Sequence, residues 1–101
     1  MGVEQEIDRL KEKLKNPGRE IVFTNHAKRQ IQSRPTTEAE VIRFLKQGSE
    51  YLRYAELQEA AEDGEVYRAN YELSKRHDLV LVFKILKAKL LIITAYRTSR
   101  K

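Results

Sequence analysis

The chain contains no cysteine and no tryptophan, and it has only two prolines and four glycines among its 101 residues. Without cysteine, neither a disulfide framework nor a thiolate metal site can form, and the composition suits a reducing compartment such as the cytoplasm. The glycines are isolated, which excludes a glycine-rich phosphate-binding loop. Only two histidines occur, with no recognisable carboxylate spacing around them, so we expect neither a metal site nor a cofactor.

Long apolar runs are also missing. No segment reaches the roughly 20 apolar residues that a membrane-spanning helix needs, and the N-terminus carries charge where a signal peptide would be apolar. Charged residues make up 35% of the chain, which still leaves enough apolar residues for a packed core. We therefore predict one cytoplasmic domain over residues 1–101 with no membrane association.

The net charge of +5 is distributed unevenly along the chain. Residues 50–65 carry six acidic side chains against one arginine, whereas residues 75–101 carry eight basic side chains against one aspartate. A separation of this kind can attract a polyanion such as RNA to one surface. It also fits a lysine-rich surface that serves solubility, and the charge pattern alone does not choose between the two.

The most apolar part of the chain is residues 78–97, which form two strand-length runs rich in leucine, valine and isoleucine. Residues 87–89 interrupt them, so the pattern predicts an antiparallel hairpin through the middle of a sheet. The run from Leu79 to Leu86 is apolar at odd and even positions alike, which is typical of a strand buried on both faces. We therefore expect the second face to be covered by an N-terminal helix or by a partner.

That N-terminal helix is predicted within residues 1–16, because apolar residues recur there at intervals of four and three. Such a stripe either lies across the sheet or pairs with a second copy of the chain. A homodimer through the stripe is therefore one predicted partnership. The stripe consists of Val3, Ile7, Leu10 and Leu14.

Two further short helices are predicted before most of the strands. The first spans residues 26–34, is capped by Thr24 or its neighbour, and ends before the following proline. The second opens with a capping box, in which Thr37 accepts from the Glu40 amide and Glu40 reaches back, and it ends at Gly48. Together we expect them to form an αα-hairpin against one face of the sheet.

The remaining strands are predicted at residues 19–24, 51–54 and 66–74, the last with clear alternation of apolar and polar residues. Residues 55–63 are acidic and lack an apolar stripe, so we expect a mobile acidic loop there. This order of elements predicts an α+β fold, with an antiparallel sheet, an αα-hairpin on one face and an extra N-terminal helix.

Four residues are candidate catalytic groups, because arginine can stabilise the charge of a pentavalent phosphate while tyrosine or histidine moves a proton. Arg68 stands on the polar face of its strand, and Tyr96 and Arg97 lie at the end of the last strand. The helix dipole would keep His26 neutral near a helix N-terminus and so suit it to acid–base chemistry. Each residue also has a purely structural interpretation, as a solvated strand residue, a core-edge tyrosine or a junction histidine.

Further basic residues are candidates for contact with nucleic acid. Lys84 interrupts an apolar strand, where an unpaired buried charge would be costly. It therefore binds a ligand, extends to solvent or pairs with Glu72. The predicted contacts are Arg34, Lys84, Lys87, Lys89 and Arg100.

Two short motifs and their spacing carry a resemblance to a known group of proteins. Residues 23–27 read Phe-Thr-Asn-His-Ala, Arg34 follows, and a capped helix ends near Gly48; the closing strand, residues 92–96, reads Ile-Ile-Thr-Ala-Tyr. Over residues 20–98 the chain resembles a family of small uncharacterised domains that is distantly similar to the RelE/ParE and BrnT toxins. The N-terminal helix lies outside this RelE-like core.

The resemblance implies a compact sheet with an αα-hairpin and suggests the ribonuclease toxins of toxin–antitoxin pairs. The first hypothesis is therefore a RelE/BrnT-like domain that binds RNA on a basic sheet edge, with or without metal-independent endoribonuclease activity. A second is a module that binds nucleic acid without catalysis. A third is a protein-interaction domain that dimerises or binds an antitoxin-like partner.

Overall fold

The structure is a computed structural model that describes residues 2–16, 18–33 and 36–99. Within these ranges the chain forms three α-helices, a short 3-10 helix and five strands. Their bounds are α1 Val3–Leu14, β1 Glu20–Phe23, α2 Asn25–Gln32, α3 Glu38–Gln47, the 3-10 helix Ser49–Tyr51, β2 Leu52–Ala61, β3 Gly64–Glu72, β4 His77–Ile85 and β5 Lys89–Ser99.

The five strands form one mixed sheet in the order β1-β5-β4-β3-β2. Strands β2 to β5 run antiparallel in sequence order, and the predicted hairpin of β4 and β5 is confirmed in the interior of the sheet. The prediction of a wholly antiparallel sheet is wrong at one pair, because β1 lies parallel to β5, with Glu20 opposite Lys89. A parallel neighbour needs a long connection, which all the elements between β1 and β5 supply.

The prediction of an acidic loop at residues 55–63 is wrong, because most of this segment belongs to the ten-residue strand β2. Its pairing with β3 shifts register twice, between Leu52 and Tyr54 and again between Leu57 and Glu59. Each irregularity interrupts the alternation of apolar and polar residues by which a strand is recognised in sequence. The following turn needs Gly64, since a Cβ there would collide with the carbonyl oxygen of Ile85.

All three helices pack on one face of the sheet, around a single apolar cluster. The alternation predicted for β3 is confirmed, because Tyr67, Ala69 and Tyr71 point into this cluster and are fully buried. The cluster also takes in residues from each helix and from the other strands, among them Leu10, Ala27, Ile31, Val41, Phe44, Leu45, Leu79, Leu81, Phe83 and Ile92.

Helix α1 belongs to this layer rather than to the opposite one. Leu10 is fully buried, and Ile7 and Leu14 pack against the same cluster, whereas Val3 is 46% exposed. The helix is thus a structural part of the domain, but the expectation that it would cover the second face of the sheet is wrong. A dimer through this stripe would require three of its four side chains to leave their own sheet.

Local hydrogen bonds explain where α2 and α3 begin. The Thr24 hydroxyl accepts from the Ala27 amide at 3.2 Å, and the Thr37 hydroxyl accepts from the Glu40 amide at 3.1 Å. Glu40 does not complete the predicted capping box, because its carboxylate accepts from Arg97 instead. The prolines predicted to end α1 and α2, Pro17 and Pro35, lie outside the described residues. No helix in the described ranges could span a membrane.

Candidate functional site

The face of the sheet opposite the helices is called the open face here. On β4 it carries the even-numbered residues from Asp78 to Lys84, whose odd-numbered neighbours belong to the apolar cluster. On β3 it carries the even-numbered residues from Val66 to Glu72. Although the helices lie on the other side, Val80 is fully buried and Val66 is 9% exposed. Larger side chains of the open face must therefore cover these two valines.

The strand register sets polar and aromatic side chains beside one another in the middle of this face. In one row Glu56 lies opposite Arg68, and Val82 lies between Arg68 and Thr94. In the next row Tyr54 lies opposite Asn70, and Val80 lies between Asn70 and Tyr96. With strands about 4.8 Å apart, the two rows extend about 14 Å across the sheet. The polar members form the central cluster: Tyr54, Glu56, Arg68, Asn70, Thr94 and Tyr96.

Arg68 is the cation of the central cluster, and it forms no ion pair within the described part of the chain. The side chain is half-buried, and its Nε atom is fully enclosed without a hydrogen-bond partner in the described part of the chain. Its cross-strand neighbour Glu56 forms no ion pair with it among the described residues; Glu56 accepts from the Tyr54 hydroxyl at 3.1 Å and from Gln58 at 3.5 Å. The guanidinium is thus left for an anionic ligand, which it can bind with two parallel hydrogen bonds.

The pKa of Tyr54 is affected by both of its charged neighbours, Glu56 and Arg68. The hydrogen bond to Glu56 raises the pKa of Tyr54 above its ordinary value, with smaller contributions from desolvation and from the charge of Glu56. The positive charge of Arg68 acts in the opposite direction on the same pKa. Tyr54 therefore keeps its proton at neutral pH and offers a neutral aromatic ring at one end of the cluster.

Asn70 supplies a second unpaired polar atom next to Arg68. Its Oδ1 atom is enclosed and has no hydrogen-bond partner within the described residues. Leaving a buried acceptor unpaired costs about 1–3 kcal/mol. Because residues two apart on a strand point to the same face, the free donor of Arg68 and the free acceptor of Asn70 are neighbours.

Lys84 lies on the open face but is already paired. Its Nζ is 2.9 Å from Asp63 Oδ1 in the β2–β3 turn, and this hydrogen bond holds the pKa of Asp63 below its ordinary value. Glu72, the alternative partner considered from sequence, instead accepts from Arg53 at 3.1 Å. Lys84 thus has a structural role in an ion pair, and a ligand would have to compete with Asp63 for its ammonium group.

Two of the four predicted catalytic residues lie on the side of the helices. Arg97 points toward α3, where its Nη2 donates to both carboxylate oxygens of Glu40 at 3.2 and 3.0 Å. His26 is exposed on α2, whose buried residues face the sheet. Of the four predicted catalytic residues, only Arg68 and Tyr96 lie on the open face.

The predicted nucleic-acid contacts do not form one patch either. Lys87 and Lys89 are exposed at the β4–β5 turn, and Lys89 is roughly 17 Å along β5 from Thr94. Arg34 and Arg100 lie outside the described residues. The acidic β2–β3 turn lies at the same end of the sheet, because Glu65 is opposite Ile85. The acidic and basic segments that look separate in sequence are therefore neighbours in the fold.

Sequence reasoning missed Tyr54, Glu56 and Asn70 as members of a site. The alternation of residues 66–74 puts Asn70 on the polar face of its strand, but only the register shows that it lies in the middle of that face. Glu56 fell within the segment predicted as a loop, so no strand neighbour could be assigned to it. Its alignment with Arg68 depends on the two register shifts of β2.

A cleft away from the central cluster offers less chemistry. It has a volume of about 390 Å³ and lies between the end of α3 and the end of β3, where Phe44, Tyr51 and Leu73 line it. Its acidic residue Glu72 is paired with Arg53. The described residues contain no group of three or more histidine or carboxylate side chains that could hold a metal ion. The central cluster is therefore the strongest candidate site.

These features define an α+β domain with a helical layer on one side of a mixed sheet and a polar, tyrosine-flanked cluster on the other. The chain belongs to the family described as domain of unknown function (DUF4258), whose sequence profile matches residues 23–97. The match begins at the last residue of β1 and ends within β5, so α1 lies outside it. No curated protein and no solved structure is significantly similar to the chain.

Proposed function

We propose that this protein is a RelE/BrnT-like domain that binds single-stranded RNA on its open face. The observation that carries the proposal is the guanidinium of Arg68, which is half-buried at the centre of that face without a counter-ion among the described residues. A protein that needed Arg68 only for stability would pair it, as it pairs Arg97 with Glu40. An unpaired and partly desolvated arginine is instead suited to a phosphate group.

The surroundings of Arg68 favour RNA among phosphate-containing ligands. Tyr54 and Tyr96 stand on opposite sides of the cluster, and tyrosine rings are the usual partners on which unpaired bases stack. An open sheet face can accept an extended strand, whereas a mononucleotide would be held better by an enclosed pocket. The net charge of +5 favours the approach of a polyanion.

The toxin-like part of the proposal rests on the resemblance of the helix-opening and closing-strand motifs. The proposal therefore includes an antitoxin-like partner protein, since toxins of this kind occur together with an antitoxin. The family description assigns no activity, so RNA binding and RNA cleavage each need an assay.

Binding is tested by fluorescence anisotropy with a labelled single-stranded RNA in a chelating buffer. We expect Arg68→Met, which keeps the aliphatic stem, to weaken binding by at least about tenfold, because a charge-assisted hydrogen bond contributes about 1.5–3 kcal/mol. The matched control is Arg76→Met, which removes the same charge from an exposed residue of the β3–β4 turn. Equal losses in the two variants would show that Arg68 has no special role.

Glu56 favours a second candidate function, the metal-independent cleavage of the bound RNA. A carboxylate directly opposite an unpaired arginine could take the proton of a 2′-hydroxyl as that oxygen bonds to the adjacent phosphorus and the P–O5′ bond breaks. The arginine would stabilise the negative charge that develops on the phosphoryl oxygens, and the leaving 5′-oxygen would take its proton from water. Incubation of RNA with the protein in EDTA tests this, and Glu56→Gln should abolish cleavage but keep binding. RNA that is bound and stays intact would refute cleavage and leave the binding module standing.

A further inference from the structure

We propose that the outer edge of β2 binds an extended segment of a partner protein in which apolar residues alternate with lysine or arginine. Among the described strands, β2 is the last of the sheet and pairs with β3 alone. Within the described ranges, no backbone hydrogen bond joins residues 54–59 to an element other than β3. Alternate N–H and C=O groups of β2 therefore point away from the sheet, as the addition of a further strand requires. The proposal goes beyond RNA binding and does not depend on it.

The regular part of this edge is short and sharply bounded. Strand β2 has one residue more than β3 at Arg53 and again at Gln58, where the register shifts. Between these two irregularities, Tyr54 to Leu57 pair residue by residue with β3. Irregularities of this kind limit the indiscriminate pairing of an edge strand. Here they leave a stretch of about 13 Å that a partner strand can pair with.

A second cleft runs along the same stretch. It has a volume of about 380 Å³ and is lined by all four residues from Tyr54 to Leu57 and by the N-terminal part of α1. Consecutive side chains of a strand point to opposite faces, so a cleft that all four residues line must lie along the edge of the strand. On the α1 side it is lined by Val3, which is 46% exposed. Apolar side chains on one face of an added strand would cover this valine.

The other face of the edge determines the charge of the partner. Glu56 and Glu59 are exposed, point to the open face and form no ion pair among the described residues. A second copy of the chain would bring two such acidic edges together, and the repulsion of like charges opposes that pairing. RNA is repelled for the same reason. Lysine or arginine at alternate positions of an added strand would lie beside both carboxylates and attract them.

The first test uses a fluorescent eight-residue peptide that alternates valine and lysine, with binding to the full chain measured by anisotropy at low salt. The control peptide alternates valine and glutamate. We expect the lysine peptide to bind at least about tenfold more tightly, because like charges placed side by side at an interface are strongly unfavourable.

Two further peptides test whether the contact runs through the backbone. One lysine peptide carries N-methyl groups at every valine and the other at every lysine. Since the N–H groups of alternate residues point to the same edge of a strand, each isomer blocks one edge and leaves the other free. We expect one isomer to bind like the unmodified peptide and the other at least about tenfold more weakly, because several backbone hydrogen bonds are lost together.

Variants of the protein locate the contact. Glu59→Gln should weaken binding of the lysine peptide by about two- to fivefold, as expected for the loss of an exposed ion pair. The matched control is Glu20→Gln, which makes the same change at an exposed residue of β1, on the opposite edge of the sheet, and should bind as the wild type. Val3→Ala should weaken binding by about three- to tenfold, because the added strand buries less apolar surface.

Equal affinities of the two N-methylated isomers would overturn the proposal, since the contact would then not be a strand pairing. Equal effects of Glu59→Gln and Glu20→Gln would overturn it as well, and so would a lysine peptide that does not bind. A dimer that forms without peptide in light scattering, and that Glu59→Gln strengthens, would assign the edge to a second copy of the chain instead. None of these outcomes bears on RNA binding by Arg68.

Discussion

Truncation of Leu10 provides a strong test of the helical layer, because α1 lies outside the family match and yet is packed like the rest of the core. Leu10 is fully buried against the sheet. Leu10→Ala removes apolar contacts and leaves a cavity, a change that costs about 2–5 kcal/mol. Domains of this size have a free energy of unfolding of about 5–15 kcal/mol, so the variant should lose a large fraction of its stability.

Thermal and urea unfolding, followed by circular dichroism, measure this loss. At about 4–8 °C for each kcal/mol, a cost near 3 kcal/mol corresponds to a fall in melting temperature of about 12–24 °C. The matched control is Val3→Ala, at the exposed end of the same stripe, which should change the free energy of unfolding by no more than about 0.5 kcal/mol. Equal stabilities of the two variants would refute the packing of α1 on the sheet. A changed mass by light scattering, with the stability intact, would support a dimer through the stripe instead.

Three further substitutions test single contacts. Burial raises the pKa of Tyr71 above its ordinary value, so the unfolded state loses this proton first and the free energy of unfolding should fall as the pH rises above about 10. Tyr71→Phe removes this alkaline loss and, because the hydroxyl has no hydrogen-bond partner among the described residues, should raise the free energy of unfolding by about 1 kcal/mol at pH 7; a lower value would contradict this. The depressed pKa of Asp63 predicts that its pairing with Lys84 stabilises the fold near neutral pH and that this stabilisation is lost as the pH falls through that pKa. The free energy of unfolding of Asp63→Asn should therefore equal that of the wild type only in acid. A difference in this free energy that does not change with pH would argue against the pair. Arg97→Met should lower the free energy of unfolding by about 1–2 kcal/mol, because it leaves Glu40 unpaired. The affinity for RNA should be unchanged, because Arg97 lies on the side of the helices. A reduced affinity would show that Arg97 belongs to the binding site.

The core of the fold could be predicted because its signals are local. The runs at residues 78–97 are apolar, strand-length and separated by a short break, and they form the β4–β5 hairpin. The N-caps of α2 and α3 could be identified from single hydroxyl residues, Thr24 and Thr37. These features need no knowledge of which element packs on which.

The errors lie where the answer depends on distant parts of the chain. The two register shifts of β2 hide its alternation, and the parallel pairing of β1 with β5 joins residues far apart in sequence. Which face the helices cover cannot be deduced from a sheet whose central strand is apolar on both sides. Consequently, the open face and its central cluster emerge only from the register.

One error could have been avoided from the sequence. Tyr96 and Arg97 are consecutive residues of one strand, and consecutive side chains point to opposite faces. They could not both belong to one site on a sheet face. The structure places Arg97 toward Glu40 and leaves Tyr96 on the open face.

A titration of the isotopically labelled protein with single-stranded RNA, followed by amide chemical shifts, tests the central claim most directly. We expect shifts that concentrate at residues 54–56, 68–70 and 94–96, on three strands that bring the polar residues of the central cluster together on the open face. Amides of α1, α2 and α3 should move little, since those helices lie on the other side of the sheet. Shifts that concentrate in the helices, or none at all at saturating RNA, would contradict the claim that the open face binds RNA.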